Sequence, residues 1–347
     1  AINAGTTTGD AITTTETVNA DLTANGNELV ASTINFSNIN DADLSGGALT
    51  GTNDSDETFS ISTTANAVSV NSIDFTSVAS INAGTSTGDA VTTTETVNAD
   101  LTANGNELVA STINFSNIND ADLSGGALTG TNDNDETFEI DTTDNAVNVN
   151  AIDFTSVASI NAGTSTGDAI TTTEAVDATL TGADNAADAS NINFTNINTA
   201  DLTGGALSGS DNADTFVLDA AGLKANEILF TAINSLVNAE GGLDDVTGMA
   251  GIDWTLTANA GELSSTPYQF TGIETADLVS QTLSGTDANN ETFSISTTAN
   301  AVNVNAIDFT SVAAINAGTS TGDAVTTTEL VDADLTANGN EVVASTI

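Results

Sequence analysis

The sequence predicts an all-β fold, a parallel β-solenoid (β-helix) built from coils of about 20 residues. Three observations predict it: a long self-similar repeat, apolar residues that alternate over short spans, and turn-forming residues that end every span.

The repeat is the plainest of the three. "INAGTTTGDAITTTETVNADLTANGNELVASTINFSNINDADLSGGALTGTN" begins at Ile2, and nearly the same text begins at Ile81. The period is about 79 residues, and each period is made of two similar halves. Thr7 becomes Ser86, Ile12 Val91, Ser55 Asn134 and Ser60 Glu139. The copies run 2–80, 81–159, 160–237 (diverging after 216) and 238–314, with a partial copy over 315–347. They are read as one continuous solenoid over residues 1–347. Three phenylalanine positions recur through four copies: Phe36, Phe115, Phe194 and Phe270; Phe59, Phe138, Phe216 and Phe293; Phe75, Phe154, Phe230 and Phe309. All twelve are expected in the core. The internal doubling shows where "NELVASTINFSNI" from Asn27 matches "NAVSVNSIDFTSV" from Asn66.

Apolar residues alternate at Ile34-x-Phe36, Phe59-x-Ile61, Val68-x-Val70 and Ile73-x-Phe75, the period of half-buried strands. Gly, Asn, Asp, Ser and Thr clusters end each run. No window sustains a helical apolar stripe, and Thr-rich runs such as "TTTETV" favour strands. A string of sandwich domains is the competing architecture. It gives no reason for the internal doubling, whereas stacked coils that bury one another's inward side chains do.

Composition then narrows the function. There are 48 acidic residues against one basic residue, no His and no Cys, giving a formal net charge of −47. Phosphate recognition needs a basic face, so nucleic acid is excluded as a partner, and anionic membrane surfaces are disfavoured. No stretch is long enough to insert into a membrane. The opening "AINAG" lacks Met and a secretory core, as expected where a leader has been removed or lies outside this stretch. Without His, Cys or Arg, most nucleophile–base sets and any arginine clamp are missing. The carboxylates recur in every copy instead of converging once, so no enzyme is expected.

"LSGSDNADTFVL" from Leu207 resembles the Asp-x-Phe units of secreted bacterial repeat proteins related to the repeats-in-toxin group. "FTGIETADLVSQTLSGTDANNETFSI" from Phe270 is similar to linkers of giant bacterial surface proteins and adhesins. The resemblance implies secretion or display at the cell surface, a β-solenoid or β-roll, a fibrous or adhesive role, and calcium as cofactor. Counted from Gly209, Asp214 and Phe216 fall on the sixth and eighth positions of the toxin-type unit, while Ser210 and Asn212 replace two of its glycines. In the other copies, Gly51 to Phe59, Gly130 to Phe138 and Gly285 to Phe293, the loop is one residue longer. The residues placed to hold calcium are Asp54, Asp56, Asp133, Asp135, Asp211, Asp214 and Asp287. The same loops read first as Asx-turns, in which short polar side chains cap a corner.

Other signals are secondary. Thr6–Thr8, Thr13–Thr15, Thr92–Thr94 and Thr171–Thr173 form runs that would suit an ice-binding ladder or plain exposed strands. Asn35, Asn53, Asn114, Asn193 and Asn290 head N-x-S/T sequons. Lys224, Met249, Trp254, Pro267 and Tyr268, each the only residue of its kind, fall between Phe216 and Phe270. Trp254 and Tyr268 with Lys224 would make a recognition patch for glycans; a diverged copy packing the same core is the alternative.

The expected function is therefore structural. The chain builds an extracellular filament, sheath or surface layer by stacking and end-to-end association with itself. A stalk or ligand-binding segment of a large adhesin is the first alternative, and an ice-binding solenoid the second.

Overall fold

The computed structural model describes residues 1–336 and 341–347. Among them there is no helix, and strands alternate with turns throughout. The chain is a β-solenoid of parallel stacked coils, organised as two compact units: Ala1–Thr173 with Ser190–Ile197, and Glu174–Ala189 with Asn198–Ile347.

The first unit begins with β1 (Ile2–Asn3), β2 (Ala11–Ile12), β3 (Ala20–Leu22), β4 (Glu28–Ala31), β5 (Ile34–Ser37) and β6 (Asp41–Thr50). It continues with β7 (Thr58–Ile61), β8 (Val68–Val70), β9 (Ile73–Asn82), β10 (Ala90–Thr93), β11 (Ala99–Leu101), β12 (Glu107–Ala110), β13 (Ile113–Ser116) and β14 (Asp120–Thr129). Parallel partners set the length of a coil. Ala99 faces Leu128 and Ile81 faces Phe115, so stacked positions are separated by roughly 30 residues of chain, within the usual span of a solenoid repeat. The coil is thus about half as long again as the sequence led us to expect, because some passes fold back on themselves as hairpins.

These hairpins explain the doubled repeat. From β6 the chain passes to β7, then zigzags back through β8 to β9, which lies parallel to β6. From β10, which stacks on β7, it passes to β11 and zigzags back through β12 to β13, parallel to β9. One face therefore runs β6, β9, β8, β7, β10, and the other β6, β9, β13, β12, β11. One half of each copy folds back on one face and the other half on the opposite face. The two-residue turn between β4 and β5 has both Ser32 and Thr33 at positive φ (48° and 68°), as does Asn71–Ser72 between β8 and β9 (50° and 63°). That is the mirror-image turn whose twist suits a tight hairpin.

β6 and β9 contribute to both faces by bending in the middle. Asp41–Asp43 face Asp74–Thr76, and after a register shift Gly47–Thr50 face Val78–Asn82. Ser45 and Gly46 take φ of 48° and 88° at the bend. Gly47 lies so close to the neighbouring coil that a Cβ would sit 1.9 Å from the Val18 carbonyl oxygen. Gly126 repeats this against Val97 at 1.8 Å. Gly126→Ala is expected to cost about 1–3 kcal/mol by overpacking. Equilibrium urea unfolding checks it, against an expected change within about 0.5 kcal/mol for the exposed Ser60→Ala.

Asparagines lock each half-copy. Asn27, Asn66, Asn106 and Asn145 hold left-handed backbone (φ 58–60°). The Nδ2 of Asn106 donates to the carbonyls of Ile118 (3.1 Å) and Ala151 (3.0 Å), joining its own bend to a hairpin turn of the next coil.

The core follows the alternation. Of the twelve phenylalanines, eleven are almost wholly buried; Phe36, in the first strands of the chain, is half-buried. Phe59 meets Phe115 edge-on at 6.2 Å, and Phe138 meets Phe194 at 6.2 Å, so aromatic pairs join one face to the other.

The second unit has the same construction. Phe216 faces Val246, Val246 faces Ala276, and Ile307–Asn316 lies on Thr275–Ser284. Its hairpin triplets include Thr215–Leu218, Leu223–Ala225, Ile228–Thr231; Trp254–Leu256, Glu262–Ser265, Tyr268–Thr271; and Thr292–Ile295, Val302–Val304, Ile307–Asn316. Trp254 is fully buried, 6.1 Å from Phe270. Gly248 stands where earlier copies have Thr14 and Thr93. A Cβ there would lie 2.7 Å from the indole nitrogen, so the glycine makes room for the indole.

Candidate functional site

The chemistry-bearing groups that recur at fixed places are carboxylates inside the corners. Glu57 is buried beside the strand that carries Phe59. Its carboxylate accepts from the Thr52 N–H (2.9 Å) and the Thr52 hydroxyl (2.7 Å). Its own N–H donates to Asp89 of the next coil at 2.7 Å, and Asp89, wholly buried, also accepts from the Ser86 hydroxyl at 2.7 Å. Glu136 repeats the arrangement, donating through its N–H to Asp168 at 2.8 Å while Ser165 donates to the same carboxylate at 2.8 Å. In the second unit the pairs are Asp214 with Asp244 (2.8 Å) and Glu291 with Asp323 (2.9 Å).

Apart from Glu291, whose Oε2 is buried without a hydrogen-bond partner, these carboxylates accept from main-chain N–H groups that the corner withdraws from the strand ladder, which is the condition for burying both kinds of group. The cost of burial still shows. Burial, helped by the nearby Asp168 charge, pushes the Glu136 carboxyl above its ordinary acidity range, although Thr131 works against it. Burial and the facing Asp153 raise Asp120 in the same way. Solvated acids that accept N–H bonds move the other way: Glu95 is lowered by bonds from Thr63 of the preceding coil, and Glu329 by Thr297.

The acids expected to hold calcium lie elsewhere in the same loops. Asp54, Asp56, Asp133, Asp135, Asp211 and Asp287 are exposed, and Asp214 alone is buried. Asp56 and Asp135 lie over Gly88 and Gly167 of the following coil, where a Cβ would fall 2.7 Å and 2.4 Å from their carboxylates. Asp287 accepts from the Thr319 N–H and hydroxyl, both at 2.9 Å. Asp214 is occupied by Ser210 and by Asn226 (2.5 Å). Among the described residues no three acidic side chains gather into a group that could hold a metal ion. In these loops Asp214 and Asp287 are committed to donors of the corners themselves.

The residues expected to form a recognition patch are also dispersed in role. Trp254 is a core residue with no exposed face for stacking. Tyr268 is half-buried, packed edge-on to Phe270 at 6.4 Å, and burial raises its hydroxyl above its ordinary acidity range. Lys224 pairs with Glu227 at the surface. Asn35, Asn53, Asn114 and Asn290 are exposed, while Asn193 is half-buried.

Sequence alone does not single out Asp89, Asp168, Asp244 or Asp323, the lower partners of the corner pairs. A signal was present in the first copies: Glu57 immediately precedes Thr-Phe, and Asp89 follows 32 residues later in a Gly-Asp-Ala corner. No family model, curated protein or solved structure matches this chain.

Proposed function

We propose that the chain is a structural protein, a segment of an extracellular filament, sheath or surface layer that grows by adding coils of this same repeat, in one long chain or between copies. One observation carries the reading. Successive coils of the repeat stack in the same parallel register, Asp41–Thr50 on Ile73–Asn82 and Asp120–Thr129 on Ile152–Asn161, so each coil is covered by another of its own kind. The face each coil offers its neighbour is therefore complementary to the repeat itself. The acidic exterior keeps such assemblies apart by like-charge repulsion, and divalent cations such as calcium would relieve that repulsion.

Electron microscopy of the purified chain, with sedimentation across a concentration series, tests the reading. Filaments or end-to-end oligomers that lengthen with concentration are expected, with an axial strand repeat of about 4.8 Å by fibre diffraction. A monodisperse monomer at every concentration, with and without calcium, overturns self-association. A calcium chelator that leaves assembly unchanged removes the cation from the proposal.

A further inference from the structure

One corner of the second unit departs from those of the first in two ways. In the first unit, Ser86 and Ser165 stand three positions before Asp89 and Asp168, and each donates its hydroxyl to that aspartate at 2.7 and 2.8 Å. At Asp244 the corresponding residue is Gly241, and the Asp244 Oδ2 is buried with no hydrogen-bond partner. In the first unit the N–H of Asp89 donates to a neutral amide, the Oδ1 of Asn119 (3.3 Å). At Asp244 the acceptor is the carboxylate of Glu274, at 2.9 Å. One change removes a donor and the other adds a negative charge.

We propose that Asp244 is a proton-operated latch: with its proton on, the coil 240–247 is held in the stack of the second unit, and with the proton lost that coil loosens. The groups facing it are all acidic. Asp214 comes from the preceding coil, Glu274 from the following one, and Asp245 is its neighbour in the chain. Asp211 reaches within 3.9 Å of where a Gly241 side chain would begin. Lys224 is already paired with Glu227.

Titration agrees in sign. Burial moves Asp244 from its ordinary 3.8 to about 6; the N–H of Asp214 opposes this, and the charges of Asp214, Glu274 and Asp245 reinforce it. A carboxyl whose folded value lies above its unfolded one contributes stability that is complete below about pH 3.8 and lost as pH rises through about 6. The coil is therefore tight in mild acid and loose at neutral pH.

Hydrogen exchange of the full chain, corrected for intrinsic rates, tests this by comparing residues 240–247 with their counterparts 85–92 at pH 5 and pH 7.5. Protection of 240–247 is expected to fall on the order of 10-fold across that range, with 85–92 nearly unchanged. Asp244→Asn removes the charge and Gly241→Ser returns the hydroxyl donor; each is expected to flatten the profile. Equal loosening of both segments, or an unchanged profile in Gly241→Ser, overturns the proposal. Should Asp244→Asn fail to fold, the carboxyl carbon of Asp244 in the unaltered chain can be followed by NMR. A midpoint near its ordinary value also overturns the proposal.

Discussion

Phe138→Ala is expected to destabilise the chain by about 3–5 kcal/mol, the range for emptying a buried aromatic site. Phe138 is fully buried and meets Phe194 edge-on across the core. Its strand lies in parallel register with Ala169–Thr172, Phe138 opposite Ile170. The loss is therefore felt in both directions, along the stack and from one face to the other. The coils are too narrow to collapse into the space, since each presents only a few inward residues per strand. Because stability in a solenoid is a sum over neighbouring coils, the effect should concentrate near the substitution. Urea unfolding should show the loss, and hydrogen exchange should place it in the coils around residues 137–140 and 192–195. A change below about 1 kcal/mol, the size of an ordinary substitution, would mean that the aromatic pair does not join the two faces.

Asn106→Ala should cost about 3–4 kcal/mol. Its two hydrogen bonds to main-chain carbonyls account for about 1 kcal/mol each, and forcing alanine into left-handed backbone adds about 1–2 kcal/mol. Asn106→Gly separates the contributions, since glycine accepts the φ of 58° without strain but supplies no amide. The glycine variant should therefore recover the backbone part and lose only the bonds to Ile118 and Ala151. Calorimetric or urea unfolding of the two variants checks the division. An alanine variant within about 0.5 kcal/mol of the parent, the range of neutral surface changes, would sink the idea that this residue locks the half-copy.

The inward residues were legible because alternation is a direct imprint of a strand's two faces. Phe59, Phe75 and Phe115 could be placed by spacing alone, and the internal doubling pointed to a coiled rather than a sandwich fold. The coil length was not legible. Text that repeats twice per copy does not say which strands run back on themselves. The reversing turns are also written in residues such as Ser32–Thr33 instead of the usual Asn-Gly. The buried corner acids escaped notice for a related reason. Asp54 and Asp56 stand out in a Gly- and Asn-rich loop, whereas Glu57 and Asp89 are 32 residues apart and become partners only through the stacking of coils. The value of Asn106 was half visible, as the residue that opens each half-copy, but its two acceptors lie 12 and 45 residues away.

The alternation of hairpins between faces has a consequence for how such a gene can change length. Removing or adding one whole copy returns every strand to the same face with the same partners, so unequal recombination between copies yields a chain that still folds. Removing half a copy would hand a hairpin of one face to the other and put every later strand on the wrong side. Near-identical text at 2–53 and 81–132 is the sequence expected of a lineage in which whole copies are the unit of duplication.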